Sequence, residues 1–373
     1  MRILAILPSY RPSAFNGTVG GGEISNRALL EGLAGRGHQL TVVTLNAGGS
    51  GSFSENGVDV IDLAEHGGIV PWVLSRSLFS RRIRRFISKR PEALPDVLLT
   101  GTEALGVAIK LRGTWGVPLA LFVRAYENFD SPTGWKQKLK RFLKRITLGD
   151  FGPDAVAKVD MLLPNSEFMA DYCSSHITGS VPARVVYPPL NVDVIGEPAE
   201  SRVEVVSMVG TGEKKGTHVV HALAAEFPQL RFRVVGYPGL APGEELERGN
   251  LTLVGWCDVQ AEFRKRADLV LVPSLWEEPF GRVAIEALAA GKWLLVSDIG
   301  GLREAVSYQA ELMAPAGDLV AWREKLAIMV EEPERCRTAW RAAASEFESF
   351  KAERQIDALA QALTELTHWQ KST

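Results

Sequence analysis

The sequence has few of the residues that build a disulfide or metal framework. Its three cysteines, Cys173, Cys257 and Cys336, are odd in number and lie far apart in a chain of 373 residues. Small secreted domains and zinc-binding domains carry more cysteines, at closer and more regular spacings. The cysteine content therefore excludes such a framework and predicts a protein of the reducing cytoplasm.

The sequence also lacks long apolar runs. The apolar run at the amino terminus, Ile3 to Leu7, is too short for a signal peptide. No stretch reaches the roughly 20 apolar residues that cross a bilayer. Hydrophobic residues nevertheless make up 46% of the 373 residues, which is enough for two ordinary cores. The sequence thus predicts a soluble protein of two domains.

Charge is unevenly distributed, although the net charge is only −2. Residues 1–190 carry 22 Lys and Arg against 16 Asp and Glu, whereas the remaining residues carry 20 against 28. Two basic segments, 76–90 and 135–146, are predicted to be helical, and the second surrounds an apolar face with six cations. Either these helices pack on their own domain, or they dock on an anionic membrane. We expect no nucleic-acid partner.

The first half alternates strands and helices. Met1 to Leu7 is predicted to be a buried strand, a Gly-rich loop follows, and a helix runs from about Glu23 to Ala34. This order predicts a doubly wound α/β domain. Because Gly20, Gly21 and Gly22 have no side chains, backbone amides there can approach an anion closely. No G-x-G-x-x-G fingerprint follows the strand, which argues against the rival interpretation, a dinucleotide-dependent oxidoreductase.

The second half begins in the same way. After a polar, proline-containing linker, a strand is predicted over Val203 to Val209 and a helix over Thr217 to Glu226. The turn between them carries several glycines and two cations, Lys214 and Lys215. Backbone amides and positive charge in one turn suit an anion. The alternative is a surface turn with solvated lysines.

The most informative stretch runs from Pro273 to Ala287. It follows an apolar strand, Leu269 to Val272, and becomes a helix after Gly281. The amides that open this helix have no internal partners, and such an end attracts anions, phosphate above all. Glu278 lies in the loop before the helix and Glu286 about two turns inside it. Glu286 interrupts an apolar segment, so it is either a surface carboxylate or a ligand for hydroxyl groups.

The frame E-P-F-G-x-x-x-x-E-A in this stretch resembles the signature of glycosyltransferase family 4. Members of that family are retaining enzymes that use nucleotide sugars and adopt the GT-B fold. The resemblance implies an α/β protein with two doubly wound Rossmann-like domains that face each other across a cleft, the first for the acceptor and the second for the donor. The implied ranges are 1–190 and 191–350 for the domains, and 351–373 for a final helix that packs back on the first.

The resemblance also implies which residues form the site. Glu278 would hold the hexose hydroxyls beside the reacting carbon, Lys215 the donor diphosphate, and Glu286 the ribose hydroxyls. The first two would be the catalytic residues. Further donor contacts are expected from the glycine loops, the helix opening and the loops near the base, namely Gly21, Gly22, Lys214, Gly236, Trp256, Phe280, Gly281, Arg282, Val283, Gly300 and Gly301.

Two positions depart from the family pattern. Thr211 stands where an arginine usually neutralises the diphosphate, and either Lys214 or Arg282 could replace that charge. Arg124 stands at or near the place of a histidine that contacts the donor sugar. An arginine there could hold a phosphate or a carboxylate by paired bonds. Together with Glu127, it is a candidate contact for the acceptor or the sugar.

The implied reaction transfers a hexose-type sugar, with retention, from a UDP-, GDP- or other nucleotide-activated donor. The acceptor would be a glycan, a lipid-linked molecule or another hydroxyl compound of polysaccharide biosynthesis. The sequence has no D-x-D motif to hold a divalent ion, so neither a metal nor another cofactor is expected. The alternative is a catalytically degenerate nucleotide-sugar-binding protein, or a partner subunit that has lost activity.

Overall fold

The structure is a computed structural model that describes residues 1–13, 20–44, 46–48, 51–63, 83, 85, 94–126, 129, 135, 152–191, 196–199 and 202–372. The chain divides into two compact units. The first is Met1–Pro189 with Ala352–Thr373, and the second is Leu190–Lys351. Each unit contains a sheet of its own.

The two sheets share one strand order. The described strands are β1 Arg2–Ile6, β2 Gln39–Thr44, β3 Phe53–Glu55, β4 Val58–Asp62, β5 Val97–Gly101, β6 Leu119–Val123, β7 Met161–Pro164, β8 Val205–Val209, β9 Arg231–Val235, β10 Glu245–Arg248, β11 Leu251–Val254, β12 Leu269–Val272, β13 Trp293–Ser297 and β14 Met313–Ala314. The order is β3-β4-β2-β1-β5-β6-β7 in the first sheet and β10-β11-β9-β8-β12-β13-β14 in the second. Only β3 and β10 are antiparallel to their neighbours among these strands.

Helices connect the parallel strands, because a parallel pair needs a crossover. The described helices are α1 Gly21–Gly35, α2 Leu105–Trp115, α3 Pro153–Val156, α4 Glu167–His176, α5 Thr217–Glu226, α6 Val259–Arg266, α7 Arg282–Ala289, α8 Leu302–Ala305, α9 Leu319–Glu331, α10 Arg337–Ser345 and α11 Ala352–Ser372. Side chains cap several of them: Ser166 Oγ accepts from the Met169 amide at 3.0 Å at the start of α4. Asp258 and Asp318 do the same for α6 and α9.

The first sheet is covered on both faces, which explains its nearly continuous apolar strands. Alternate residues of β1 enter different cores. Ile3 and Ala5 pack in a core that includes residues of α1 and α11. Leu4 and Ile6 pack in a core that includes residues of α2. The sheet is thus the middle layer of three.

The final helix, α11, packs on α1 of the first unit. Gly32 has no side chain where Ile356 lies, and a Cβ there would be 2.2 Å from Ile356 Cδ1. Arg36 Nε also donates to Asp357 Oδ1 at 2.7 Å. The helix therefore belongs to the first unit, although it follows the second in the sequence.

The antiparallel edge strands β3 and β10 are not predicted by the sequence pattern. All four residues of β10 are exposed, and β3 has no buried residue. A strand without a buried face needs no apolar alternation, so its sequence resembles that of a loop. Charge holds β10 instead: Arg233 of β9 pairs with Glu245 of β10 at 2.9 Å and with Glu262 of α6.

Candidate active site

Two loops meet at the carboxyl edge of the second sheet, where doubly wound sheets bind ligands. β8 and β12 are neighbours in this sheet, so the loop of residues 210–216 lies against the loop of residues 273–281. The Leu275 amide donates to the Lys214 carbonyl oxygen at 2.8 Å. The two motifs that the sequence singles out therefore form one site.

Gly216 allows the two loops to approach each other. Its φ of 73° lies in the left-handed region, and a Cβ there would be 1.9 Å from the Pro273 carbonyl oxygen. Glycine alone satisfies both conditions without strain. Gly216 is also the residue that precedes α5, so the turn that carries Lys214 and Lys215 leads directly into that helix.

Lys215 and Glu278, the two predicted catalytic residues, contact each other. Lys215 Nζ donates to Glu278 Oε1 at 2.8 Å, and Ser274 Oγ donates to the same oxygen. Glu278 is only 7% exposed, so its charge needs these partners. Its Oε2 has no hydrogen-bond partner within the described part of the chain. The Lys215 side chain is 34% exposed, so both members of the pair remain able to bind a ligand.

Ser274 is a residue that the sequence reasoning missed. Its side chain is fully buried and its hydroxyl group is held on the Glu278 carboxylate. A serine at the end of an apolar strand, four residues before the acid, could have indicated this contact. Serines at such positions more often form hydrogen bonds within turns. The contact of Ser274 fixes the position of Glu278 independently of Lys215.

The amino end of α7 opens next to the Glu278 loop. Gly281 precedes the helix with a φ of 97° and without a side-chain cap. A Cβ on Gly281 would be 2.4 Å from Leu302 Cδ2, so a side chain there would be strained by its positive φ and would displace Leu302. The first-turn amides carry the positive end of the helix dipole. This is the helix opening that the sequence predicts to attract phosphate.

Gly300 and Gly301 pack against the Glu278 loop, and the positions that a side chain would occupy face this loop. Their contact with the sugar stays a prediction. A Cβ on Gly300 would be 2.8 Å from the Glu278 carbonyl oxygen, and one on Gly301 would be 2.5 Å from that of Pro279. The Gly301 amide also donates to the Glu278 carbonyl oxygen at 2.8 Å. The absence of side chains at both glycines is therefore explained by packing against this loop.

Glu286 and Arg282 form an ion pair across one turn of α7. Arg282 Nε donates to Glu286 Oε1 at 2.6 Å, and the two side chains are 26% and 12% exposed. Gln260 Nε2 donates to the Glu286 carbonyl oxygen at 3.2 Å, which ties α6 to α7. The sequence predicts each member of the pair as a separate donor contact. In the structure, a ribose hydroxyl group or a phosphate would compete with this ion pair.

Comparison with known proteins identifies the family of the chain. The family model of glycosyl transferases group 1 matches residues 195–346, and that of the glycosyl transferase 4-like domain matches residues 20–190. Together the two matches span most of the sequence. The chain belongs to this glycosyltransferase family.

The curated relatives match only part of this chain. A D-inositol 3-phosphate glycosyltransferase from Segniliparus rotundus is 30% identical over 234 residues, which are 55% of this chain and 52% of that protein. The matches to curated relatives of this name span 36% to 54% of the length of those proteins.

Several solved structures match nearly the whole chain. A sucrose-phosphate synthase from Thermosynechococcus elongatus has a TM-score of 0.74 at 18% identity, covering 98% of this chain and 99% of that one. Anabaena HepE in complex with UDP and glucose has a TM-score of 0.71 at 16% identity, covering 98% and 100%. The matches confirm the predicted α/β class and GT-B fold.

An open pocket of about 700 Å³ lies beside the glycine turn of the second unit. It is lined by Thr211, Gly212, Glu213, Thr217, His218, His221, Tyr237 and Pro238. Thr211, which stands in place of the family's arginine, therefore borders a cavity. The sequence reasoning missed the two histidines, although their spacing of three residues at the start of a helix places them on one face.

The predicted base contacts, Gly236 and Trp256, are neighbours in space. Gly236 has a φ of 85°, and a Cβ there would be 3.3 Å from Trp256 Cε2. Trp256 is 45% exposed at the end of β11. An exposed aromatic ring next to a glycine, which has no side chain in the way, suits the stacking of a base.

The two cations predicted to replace the arginine missing at Thr211 already have contacts. Arg282 is paired with Glu286. Lys214 Nζ lies 5.5 Å from the centroid of the Trp276 ring, within the range of a cation–π contact. If Lys214 or Arg282 bound a diphosphate, it would have to give up its present contact.

In the first unit, Gly21 and Gly22 lie in the first turn of α1. The next residue, Glu23, has a role that the sequence reasoning missed: its carboxylate accepts from Ser9 Oγ at 2.8 Å and from Arg11 Nη1 at 2.8 Å. Glu23 thus ties the loop that follows β1 to the start of α1. The two glycines therefore directly precede a residue that holds Ser9 and Arg11.

Arg124 follows β6, and its Nη1 donates to the Val186 carbonyl oxygen at 2.6 Å. Its predicted companion Glu127 lies outside the described residues, as do segments 76–90 and 135–146 apart from residues 83, 85 and 135. Within the described ranges, no group of three or more His, Cys, Asp or Glu side chains is placed to hold a metal ion. No helix there is both long and apolar enough to cross a bilayer.

Proposed function

We propose that the chain is a retaining glycosyltransferase that moves a hexose-type sugar from a nucleoside diphosphate sugar to a hydroxyl group of a glycan or lipid-linked acceptor. The proposed reaction uses no metal ion. The observation that supports it best is the contact between Lys215 and Glu278 beside the opening of α7. This arrangement combines a cation, a buried acid and a helix amino end, which together suit a sugar diphosphate.

The diphosphate needs the strongest stabilisation during the reaction. Negative charge grows on it as the bond from the anomeric carbon to the phosphate oxygen breaks. Lys215, one-third exposed, would exchange its contact with Glu278 for one with the diphosphate. The amides at the start of α7 would receive the remaining charge. Each such preorganised donor is worth about 3 kcal/mol of the activation barrier.

Glu278 would keep Ser274 as a partner when Lys215 moves to the diphosphate. Hydroxyl groups of the hexose would then occupy the place of the ammonium group, since a carboxylate accepts several hydrogen bonds. The negative charge of Glu278 would also favour the positive charge that develops on the anomeric carbon. The buried acid thus changes its partner from a lysine to the sugar as the donor binds.

Retention follows if the acceptor attacks the face from which the diphosphate leaves. The acceptor oxygen forms a bond to the anomeric carbon while the bond to the phosphate oxygen breaks. The proton of the acceptor hydroxyl group passes to an oxygen of the departing diphosphate. This route needs no nucleophile and acid pair of the glycosidase type.

The relatives indicate which donors to test first. HepE was solved with UDP and glucose, and the Segniliparus rotundus relative is named a glycosyltransferase of D-inositol 3-phosphate. UDP sugars are therefore the first candidates. Action in the cytoplasm on polysaccharide precursors, with segments 76–90 and 135–146 at an anionic membrane, belongs to the same proposal.

A thermal-shift screen of nucleoside diphosphates tests the donor site. UDP, GDP and ADP are compared with the corresponding nucleosides. A diphosphate at about 100 times its dissociation constant should raise the free energy of unfolding by about 2.7 kcal/mol. Its nucleoside, which lacks the anion, should have a much smaller effect. A full chain that responds to none of the diphosphates would contradict the proposal.

A matched pair of variants tests whether the diphosphate that raises the melting temperature binds at Glu286. Glu286→Gln should weaken the stabilisation by the diphosphate, because it removes the carboxylate proposed to bind the ribose. Glu324→Gln changes an exposed carboxylate of α9 in the same unit and should leave the response intact. Equal responses in both variants would show that Glu286 does not contact the nucleotide.

The second candidate is a nucleotide-sugar-binding protein without activity. Thr211 favours it, because the loss of a cation weakens the stabilisation of a leaving diphosphate. Release of nucleoside diphosphate from a responding donor distinguishes the two candidates. Binding with equal trace release by wild type and Glu278→Gln would favour the inactive protein.

A further inference from the structure

Arg124 is a cation that has no carboxylate partner among the described residues. Its Nη1 and Nε donate to neutral acceptors, the Val186 carbonyl oxygen at 2.6 Å and Asn26 Oδ1 at 3.3 Å. Its Nη2 is buried and has no hydrogen-bond partner in the same part of the chain. Arg112 of the same unit, in contrast, is paired with Asp160 at 2.5 Å. Arg124, a half-buried residue, therefore lacks in this part of the chain the carboxylate partner that usually compensates such a charge.

The guanidinium group lies at the edge of the sheet where ligands bind. Arg124 directly follows β6, at the carboxyl edge of the first sheet. Gly22 is its neighbour, since a Cβ on Gly22 would be 3.8 Å from Arg124 Cβ. Gly22 belongs to the first turn of α1, a helix of 15 residues that begins without a side-chain cap. The positive end of a helix dipole thus lies next to a cation.

A cation beside the positive end of a helix is unfavourable without a compensating anion. Burial lowers the pKa of Arg124 to about 9, which leaves the guanidinium group protonated at neutral pH. The Phe122 ring, with its centroid 4.7 Å from Arg124 Cζ, offsets only part of the cost of burial. An oxyanion would satisfy Nη2 with a charge-assisted hydrogen bond.

We propose that Arg124 binds a carboxylate or phosphate group carried by the acceptor, so that this glycosyltransferase acts on an acidic sugar. The inference rests on the proposed function, in which the first unit binds the acceptor. A uronate and a sugar phosphate share the relevant chemistry, because each offers an oxyanion to the planar guanidinium fork. A lysine would supply the charge without that fork.

Calorimetric titration of the full chain with glucose, glucuronate and glucose 6-phosphate tests this assignment. Wild type should bind at least one of the two acids roughly tenfold more tightly than glucose, as expected for a hydrogen bond to a charged group. Arg124→Gln should abolish the preference, and Arg124→Lys should retain part of it. Arg184→Gln, which removes an exposed arginine paired with Glu365, should leave the preference unchanged.

Three results would overturn the acidic acceptor. They are equal affinity of wild type for the three sugars, a preference that persists in Arg124→Gln, and sodium phosphate that binds as tightly as glucose 6-phosphate. The nucleoside diphosphate response of the same samples shows that Arg124→Gln is folded and keeps the two proposals separate. If the acidic sugars bind more tightly through Arg124 but no nucleoside diphosphate stabilises the chain, only the proposed donor function fails. If a nucleoside diphosphate stabilises the chain but the acidic sugars bind no more tightly than glucose, only the acidic acceptor fails.

Discussion

Glu278→Gln should reduce kcat by about two to three orders of magnitude and change the melting temperature little. Glutamine fills the same space, and its amide oxygen can accept from both Lys215 and Ser274, which now share Glu278 Oε1. The substitution removes the negative charge beside the reacting carbon. Steady-state release of nucleoside diphosphate, with saturating donor and acceptor, measures the loss.

The neighbouring acid provides the control for this variant. Glu277 lies in the same loop but is exposed. Glu277→Gln changes the net charge by the same amount, so its kcat should stay close to that of wild type. Equal activity of Glu278→Gln and Glu277→Gln would show that the buried acid takes no part in the reaction.

Lys215→Met should lower kcat/KM by two or more orders of magnitude, on the scale of losing one preorganised donor to the leaving diphosphate. Unlike Glu278→Gln, it should also lower the melting temperature. In this variant Ser274 remains as the side-chain partner of the buried Glu278 carboxylate. Because Lys215 is 34% exposed, the loss of stability should be smaller than the roughly 3–5 kcal/mol for a fully buried pair.

The double variant Lys215→Met with Glu278→Gln separates stability from catalysis. It should regain most of the melting temperature, because no unpaired buried charge remains, and none of the activity. Lys214→Met should cause a smaller loss of activity than Lys215→Met, since the Lys214 ammonium group lies over the Trp276 ring. Equal losses in the two lysine variants would place the diphosphate between both lysines.

The central strands of both sheets can be predicted from the sequence because they are buried on two faces. β12, Leu269–Val272, and α5, Thr217–Glu226, have the predicted bounds. The edge strands β3 and β10 cannot be found in this way, since neither has a buried residue that would give an apolar pattern. Burial, more than intrinsic strand propensity, makes a strand visible in a sequence.

The position of the candidate site could be predicted from the sequence, but the contact between Lys215 and Glu278 could not. Parallel strands bring their carboxyl ends to one edge, so the sequence order predicts that the Lys215 turn and the Glu278 loop lie close together. It does not show that these side chains bind each other, because residues 63 positions apart have no fixed geometric relation. The ion pair of Arg282 and Glu286 could have been predicted from the sequence, because a spacing of four residues in a helix favours such a pair.

The position of a bound nucleoside diphosphate decides whether the proposed donor site is real. A crystal structure of the full chain with the diphosphate selected by the thermal-shift screen measures it directly. We expect phosphate oxygens at roughly 2.7–3.2 Å from Lys215 Nζ and from first-turn amides of α7, with Lys215 released from Glu278. A diphosphate bound away from both groups, with the contact between Lys215 and Glu278 intact, would contradict the proposal.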